Sequence, residues 1–289
     1  MPFLLSLCAK CPLILLHGLG AGLGWLAYLL SPTYRRRFVE NSHQAGYTSA
    51  QVRPAIAHAG RMAAELPKLW MGKPAPITWT GQDVFDAAHN SGKGIIFLTP
   101  HLGCFEITAQ AIAARYAAQG RQINVLYRPA RMAWLQTILA SARNRAGMSA
   151  VPTTLAGVKT LVKALRRGQA LGMLPDQVPP LGLGQWASFF GKDAYTMTLP
   201  AKLALQTGAQ LILVWGERLP SGKGYAVHFS KFEGELQSDL AQACLQINTA
   251  MEGLVRQCPE QYMWGYARYK SPRAFAPFAP ADPTSSEAS

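Results

Sequence analysis

Residues 101–106 read His-Leu-Gly-Cys-Phe-Glu, an imidazole and a carboxylate with four residues between them, directly after the apolar run Ile95–Leu98 and the dipeptide Thr99-Pro100. A carboxylate that accepts from one imidazole nitrogen sets the tautomer, and the other nitrogen can then take a proton from a hydroxyl. Such a pair makes an alcohol nucleophilic without a covalent enzyme intermediate. The two side chains cannot share a helix face, because five residues at about 100° each leave them roughly 140° apart. The spacing works if His101 stays on a loop after a strand and Glu106 lies in the first turn of a helix, reaching back. Pro100 ends the strand ladder, and Gly103 lets the backbone turn tightly. The plainer reading is a loop histidine and a glutamate that complements a helix dipole. Cys104, inside the motif, has apolar neighbours that raise a thiol pKa, so packing is expected of it rather than nucleophilic attack.

The elements that must position this pair are legible as alternating apolar runs and amphipathic stretches. Strands are expected at 95–98, 123–127, 171–174, 211–215 and 225–229, and helices at about 104–118, 132–146, 155–167, 196–207 and 238–257. Residues 36–71 read as mostly helical. Strand–helix alternation of this kind predicts an α/β fold, with a mostly parallel central sheet flanked by helices. Open sheets of that class place ligands at the carboxyl ends of their strands. The polar residues that end the runs should therefore meet on one rim: His101 after the first, Arg128 after the second, Asp176 and Gln177 after the third, and Glu217-Arg218 after the fourth. Asp176 either positions a substrate or caps the turn after Pro175.

The chain has 289 residues and a formal net charge of +13, from 28 Lys plus Arg against 15 Asp plus Glu. That imbalance calls for an anionic partner. Nucleic acid is not expected, since no recognised module is present and the basic residues are scattered through apolar context. The five cysteines, odd in number, do not suggest a disulfide framework, and the lone Cys8-x-x-Cys11 lacks a second pair. No His/Cys/Asp cluster has ligand spacing, so neither metal nor cofactor is expected. From Cys11 to Tyr34 there is no charged residue, and Arg35-Arg36-Arg37 follows. The run is long enough to span a bilayer core, and the flanking arginines would keep the bulk of the chain on the cytoplasmic side. The alternative is a glycine-rich buried helix. Residues 1–37 are thus expected to be a membrane anchor with an N-terminal membrane helix, 38–270 the catalytic domain, and the Pro/Ala/Ser-rich 271–289 a disordered tail. The stretch 131–145, with an apolar stripe and flanking arginines, either lies in the membrane interface or packs on the core.

Four blocks in order, GKGIIFLTPHLGCFE, VLYRPARMAWLQ, LGMLPDQ with FFGKDAYTMTLPAKLALQTGA, and PEQYMWGYARYK, resemble the lipid A late acyltransferases of Gram-negative inner membranes. The likeness covers about 93–270. It implies transfer of a fatty acyl group from acyl-acyl carrier protein to a hydroxyl of a Kdo-bearing lipid A precursor, at an inner membrane whose anionic lipids the basic surface would meet. His101 would be the general base and Glu106 its partner. Arg128 would face substrate phosphate or the developing oxyanion, or else form a rim salt bridge. Arg268 and Lys270 would be headgroup contacts. Glycerolipid acyltransferases of the wider class usually have Asn before the histidine and Asp as the acid, where this chain has Pro100 and Glu106. A glycerophospholipid or mannosylated phosphoinositide acceptor is the alternative, and a non-catalytic basic membrane-binding protein the alternative of another class. Acyl chain length, acylated position and oligomeric state are not legible.

Overall fold

The computed structural model of the protein describes residues 2–127 and 146–274. Two helices open the chain, α1 (Pro2–Lys10) and α2 (Leu13–Leu30), and α2 is long and apolar enough to cross a membrane. Helix α3 (Pro32–Gln44) starts at once: Ser31 caps it, its hydroxyl accepting from the Tyr34 N–H at 3.2 Å, and Pro32 takes a position where a missing N–H costs nothing. It runs unbroken across residue 37, where the sequence suggested that an anchor gives way to a catalytic domain. Helix α4 (Pro54–Met71) follows, so the helical stretch expected at 36–71 is two helices with a loop between them.

Among the described residues, seven strands form one sheet. In spatial order they are β1 (Ile77–Thr80), β9 (Tyr225–Lys231), β8 (Gln210–Arg218), β2 (Ile95–Leu98), β5 (Ala170–Met173), β3 (Ile123–Tyr127) and β4 (Met148–Pro152). From β8 to β4 all neighbours are parallel; β9 is antiparallel to β8, and β1 is parallel to β9. The sheet is flanked by α5 (Gln82–Asn90), α6 (Phe105–Ala117), α7 (Leu155–Arg166), α8 (Leu199–Thr207) and α9 (Leu240–Gln257). The α/β class and mostly parallel sheet are as expected from the sequence.

Strand β2 is central, and its four residues are all buried, as a parallel strand covered on both faces requires. Successive side chains alternate between the faces. Ile95 and Phe97 join the core with Phe85 of α5 and Ile107 and Ile112 of α6, while Ile96 and Leu98 join the core with Leu161 of α7 and Ile247 and Leu254 of α9. Each such side chain contributes roughly 1.5–3 kcal/mol, so the strand that precedes His101 is anchored from both sides.

Several elements escaped the sequence reading: β1, α5, β4, and a separate hairpin of β6 (Gly184–Phe189) and β7 (Lys192–Met197). The helix expected at 196–207 is α8, which starts only at Leu199 because Thr196 and Met197 still belong to β7 and Pro200 fits only a first turn. The expected helix at 132–146, the interfacial face at 131–145, Arg128 and most of the tail lie outside the described residues.

Candidate active site

The rim at the carboxyl ends of the parallel strands is built by register. Leu98 of β2 pairs with Met173 of β5. His101 and Asp176 each stand three residues beyond that pair, each directly after a proline, in Thr99-Pro100-His101 and Leu174-Pro175-Asp176. Equal offsets on adjacent parallel strands bring the two side chains to the same height, about 4.8 Å being the strand spacing. The contact is made twice: His101 Nδ1–H donates to Asp176 Oδ1 at 2.7 Å, and the His101 backbone N–H donates to Oδ2 at 2.8 Å.

An ionised carboxylate only accepts, so Nδ1 carries the proton and Nε2 is left with its lone pair. That lone pair accepts from the Gln177 side-chain amide at 3.0 Å. The histidine side chain is 14% exposed and the aspartate 2%. Burial pushes the Asp176 carboxyl up, but its attraction to the His101 ring, the two hydrogen bonds from His101 and the Arg268 charge outweigh burial and hold it below the usual carboxylate range. The Phe105 ring packs 4.9 Å from the imidazole. The result is an oriented imidazole with one basic nitrogen facing the rim.

The carboxylate at Nδ1 is therefore that of Asp176, where the sequence reading expected Glu106 to accept. Glu106 lies in the first turn of α6, part-buried, five residues beyond His101 as the spacing predicted. Three residues beyond a strand, the histidine already faces the neighbouring strand's loop, whose aspartate arrives by sheet pairing.

The loop between His101 and Glu106 is held by its backbone. The Gly103 N–H donates to the Gln261 carbonyl at 3.0 Å, the Cys104 N–H to the Gly216 carbonyl at 2.7 Å, and the His101 carbonyl accepts from the Met263 N–H at 3.2 Å. Gly103 has φ 55°, and a Cβ there would overlap the Gly216 carbonyl oxygen. The expected tight turn at Gly103 is thus also a site of close backbone approach. Cys104 is fully enclosed; burial and the neighbouring Glu65 carboxylate push its thiol well above the ordinary value, the reverse of an activated nucleophile.

Behind this loop sits a buried ion pair. Arg218, at the end of β8, donates to both Glu65 oxygens at 2.7–3.0 Å and to the Gly103 carbonyl at 2.6 Å. Glu65 of α4 also accepts from the Tyr225 hydroxyl at 2.9 Å and meets His17 Nε2 of α2 at 3.0 Å. Burial raises the Glu65 pKa, but the Arg218 charge and these hydrogen bonds bring it to about 2. Sequence reading placed Arg218 on the rim but missed that it reaches back to hold the His101 loop.

The other expected site residues are placed as follows. Arg128 lies outside the described residues. Arg268 is buried at 2% exposure and donates to the Tyr195 carbonyl at 2.9 Å, Thr196 Oγ1 at 2.8 Å and Asn248 Oδ1 at 3.2 Å, tying the C-terminal segment to the hairpin and α9. Lys270 is exposed, its ammonium 4.9 Å from the Tyr266 ring centre, and lines a cleft of about 820 Å³ with Arg36, Arg37 and Lys192. The Tyr266 hydroxyl, just before the cleft-lining segment 267–270, accepts from the Val178 N–H at 3.0 Å. Gln177 and Tyr262, whose hydroxyl stands 3.4 Å from Asp176 Oδ2, were not singled out as site residues. The repeated Pro-polar pattern after two strands was the available signal for Asp176 and Gln177; Tyr262 had none.

Comparison with known proteins identifies the family. The family model for bacterial lipid A biosynthesis acyltransferase matches residues 3–271. The chain is 27% identical over 283 residues to the lipid A biosynthesis lauroyltransferase of Escherichia coli K12, covering 92% of this chain and 89% of that protein. It is 24% identical over 257 residues to the E. coli K12 lipid A biosynthesis myristoyltransferase, covering 84% and 77%. With lipid A biosynthesis acyltransferase 2 of Shigella flexneri it is 26% identical over 197 residues, 65% of this chain but only 59% of that protein. A family match across nearly the whole chain, with the histidine and its surrounding loop fixed at the sheet rim, leads to one conclusion: the chain belongs to the bacterial lipid A biosynthesis acyltransferase family.

Proposed function

We propose that this protein transfers a fatty acyl group from acyl-acyl carrier protein to a hydroxyl of a Kdo-bearing lipid A precursor, with His101 as general base. The observation that carries the reading is the His101 imidazole itself: Nδ1 is spoken for by Asp176, and Nε2 presents a lone pair at the strand-end rim. An acceptor hydroxyl that displaces the Gln177 amide would lie within hydrogen-bond reach of Nε2.

In the proposed reaction Nε2 takes the hydroxyl proton as the oxygen attacks the thioester carbonyl. The resulting tetrahedral oxyanion collapses, the C–S bond breaks, and the departing thiolate recovers the proton from Nε2–H. An ester and a free carrier thiol are the products, with no bond formed to the protein. Asp176 holds the tautomer and offsets the imidazolium charge that appears midway. Glu106, in the first turn of α6, is the second carboxylate of the proposal, and Arg128 the cation for substrate phosphate or oxyanion. Arg36, Arg37, Lys192 and Lys270, around their cleft, suit phosphates and carboxylates of the acceptor. Arg268 serves by holding the segment that carries Lys270. The +13 charge favours an acidic carrier protein and an anionic inner-membrane surface, with the catalytic domain on the cytoplasmic side.

The test is acyl transfer by purified full-length protein in detergent, supplied with the Kdo-bearing precursor and a panel of acyl-acyl carrier proteins, with product mass as readout. A product heavier by one acyl group, absent with His101→Ala, is expected. Folded protein that acylates none of them, or that prefers lysophospholipid acceptors, would overturn the acceptor assignment.

A further inference from the structure

Helix α2 is apolar all round, yet its two faces have different fates. On the inner face Leu13, Leu16, His17, Gly20 and Gly24 are buried. On the outer face Leu15, Leu19, Leu23, Leu26, Leu29 and Leu30 are 49–72% exposed. Seven of the fifteen large apolar side chains that stand exposed among the described residues belong to this one helix. A soluble surface does not concentrate leucines so; an exposed apolar stripe of this size marks a contact with an apolar phase or partner.

The inner face is locked to α4 along most of its length, in antiparallel register. Lys68 Nζ donates to the Cys11 carbonyl at 2.9 Å, Glu65 meets His17 at 3.0 Å, Arg61 Nε donates to the His17 carbonyl at 3.3 Å, and the Arg53 guanidinium lies 5.2 Å from the Trp25 ring centre. Between these points the helices touch backbone to backbone. A Cβ on Gly24 would overlap the Ile56 carbonyl oxygen, and one on Gly60 the Gly20 carbonyl oxygen. From Cys11 to Trp25 is about 20 Å of helix at roughly 1.5 Å per residue.

This packing conflicts with a membrane span. If α2 crossed the bilayer as packed, Arg61, Glu65 and Lys68 of α4, and the sheet behind them, would enter hydrocarbon with it. If α2 left α4 to cross alone, Glu65 and Arg218 would lose His17 and the cover over a buried ion pair. We infer that α2 attaches the protein to the membrane as an in-plane helix, its leucine face sunk among the acyl chains of an anionic bilayer and its glycine face fixed to α4, so that both ends of α2 remain on one side. Charge supports lipid as the occupant. Basic residues flank both ends of the helix, Lys10 before it and Arg35–Arg37 after it, at the level where anionic headgroups would lie. Depth would be about 5–10 Å into the headgroup–acyl boundary. Through His17, Glu65, Arg218 and Gly103 the same helix is joined to the His101 loop, so the rim would sit at a fixed height above the lipid surface. The inference rests on α2 packing and does not depend on the acyl-transfer reading.

The full-length protein with Cys8 and Cys11 replaced by serine would be reconstituted into sealed vesicles of phosphatidylethanolamine and phosphatidylglycerol. Spin labels placed singly at positions 15, 19, 26 and 29 report depth from their accessibility to oxygen and to a water-soluble nickel complex. One shallow, uniform depth is expected. A profile that deepens to mid-helix and rises again, or terminal tags shaved by protease from opposite sides, would overturn the inference. Spin–spin broadening without oxygen access would also overturn it, making a second copy the occupant. The double variant Leu19→Glu/Leu26→Glu, at positions 58% and 51% exposed, should keep its thermal unfolding in detergent and lose more than tenfold in vesicle partition. Unchanged partition would be a second refutation.

Discussion

Two histidine–carboxylate contacts in this protein look alike on paper and do opposite things. His101 meets Asp176 at 2.7 Å, and His17 meets Glu65 at 3.0 Å. At the rim the carboxylate serves the imidazole, and the second nitrogen faces an exchangeable amide. In the interior Glu65 is saturated: Arg218 takes both oxygens and Tyr225 adds a third donor, so the histidine is one strut among several. Residue types and distance do not distinguish a proton-transfer pair from a brace. What distinguishes them is whether a cation already neutralises the carboxylate and whether the imidazole has a nitrogen to offer.

The largest effect should come at the rim. His101→Ala removes the proposed base and should lower turnover by about 10²–10⁴-fold, measured on protein that still unfolds cooperatively. Asp176→Asn, which can keep a hydrogen bond but favours the wrong tautomer, should also lower turnover by at least about 10²-fold, measured as initial rate at saturating substrates. If Asp176→Asn left turnover intact while a Glu106→Gln variant abolished it, the pairing described above would be the wrong one for chemistry.

The interior pair should break as a matter of stability. Glu65→Ala or Arg218→Ala leaves a buried charge alone and should cost about 3–5 kcal/mol, read by denaturant unfolding. Replacing both with apolar residues of similar volume should restore much of that loss, as it would not restore catalysis at the rim.

A pH titration sharpens the contrast. Both carboxyls are lowered on folding, so each contributes stability that is present above the unfolded carboxylate pKa, about 4, and lost as pH falls through the folded value. For Glu65 that value is about 2. Acid unfolding should therefore steepen below about pH 4, and Glu65→Gln should be less stable at neutral pH with a flatter acid limb. The smallest effect is expected at Gln177, whose bond to Nε2 is the one the substrate would replace. Gln177→Ala should change turnover by less than about tenfold.

Much of this arrangement is legible in the sequence. The run Ile95–Leu98, apolar at every position, announced a strand covered on both faces, and Pro100 and Gly103 announced the turn. Arg218 and Asp176 were placed at strand ends, where they are found. Missed were the short strand Ile77–Thr80, whose parallel partner Tyr225–His228 lies far along the chain, and the hairpin arm Gly184–Phe189, whose partner Lys192–Met197 is close by but whose own residues form no apolar run. The contact of Asp176 with His101 was hidden in the sequence because it depends on a distant strand pairing. Five residues of separation are visible in one line of text, whereas 75 residues of separation become contact only when β5 pairs with β2.

The sequence by itself determined the local facts: which segments are apolar enough to be buried, where prolines and glycines end them, and that one helix near the amino terminus carries no charge. These follow from side-chain hydrophobicity and backbone sterics, which act between neighbours. Only the tertiary structure decided which carboxylate meets His101, which arginine braces its loop, and which face of α2 is sealed and which is bare. Those depend on strand register and helix crossing, and no residue can specify either alone.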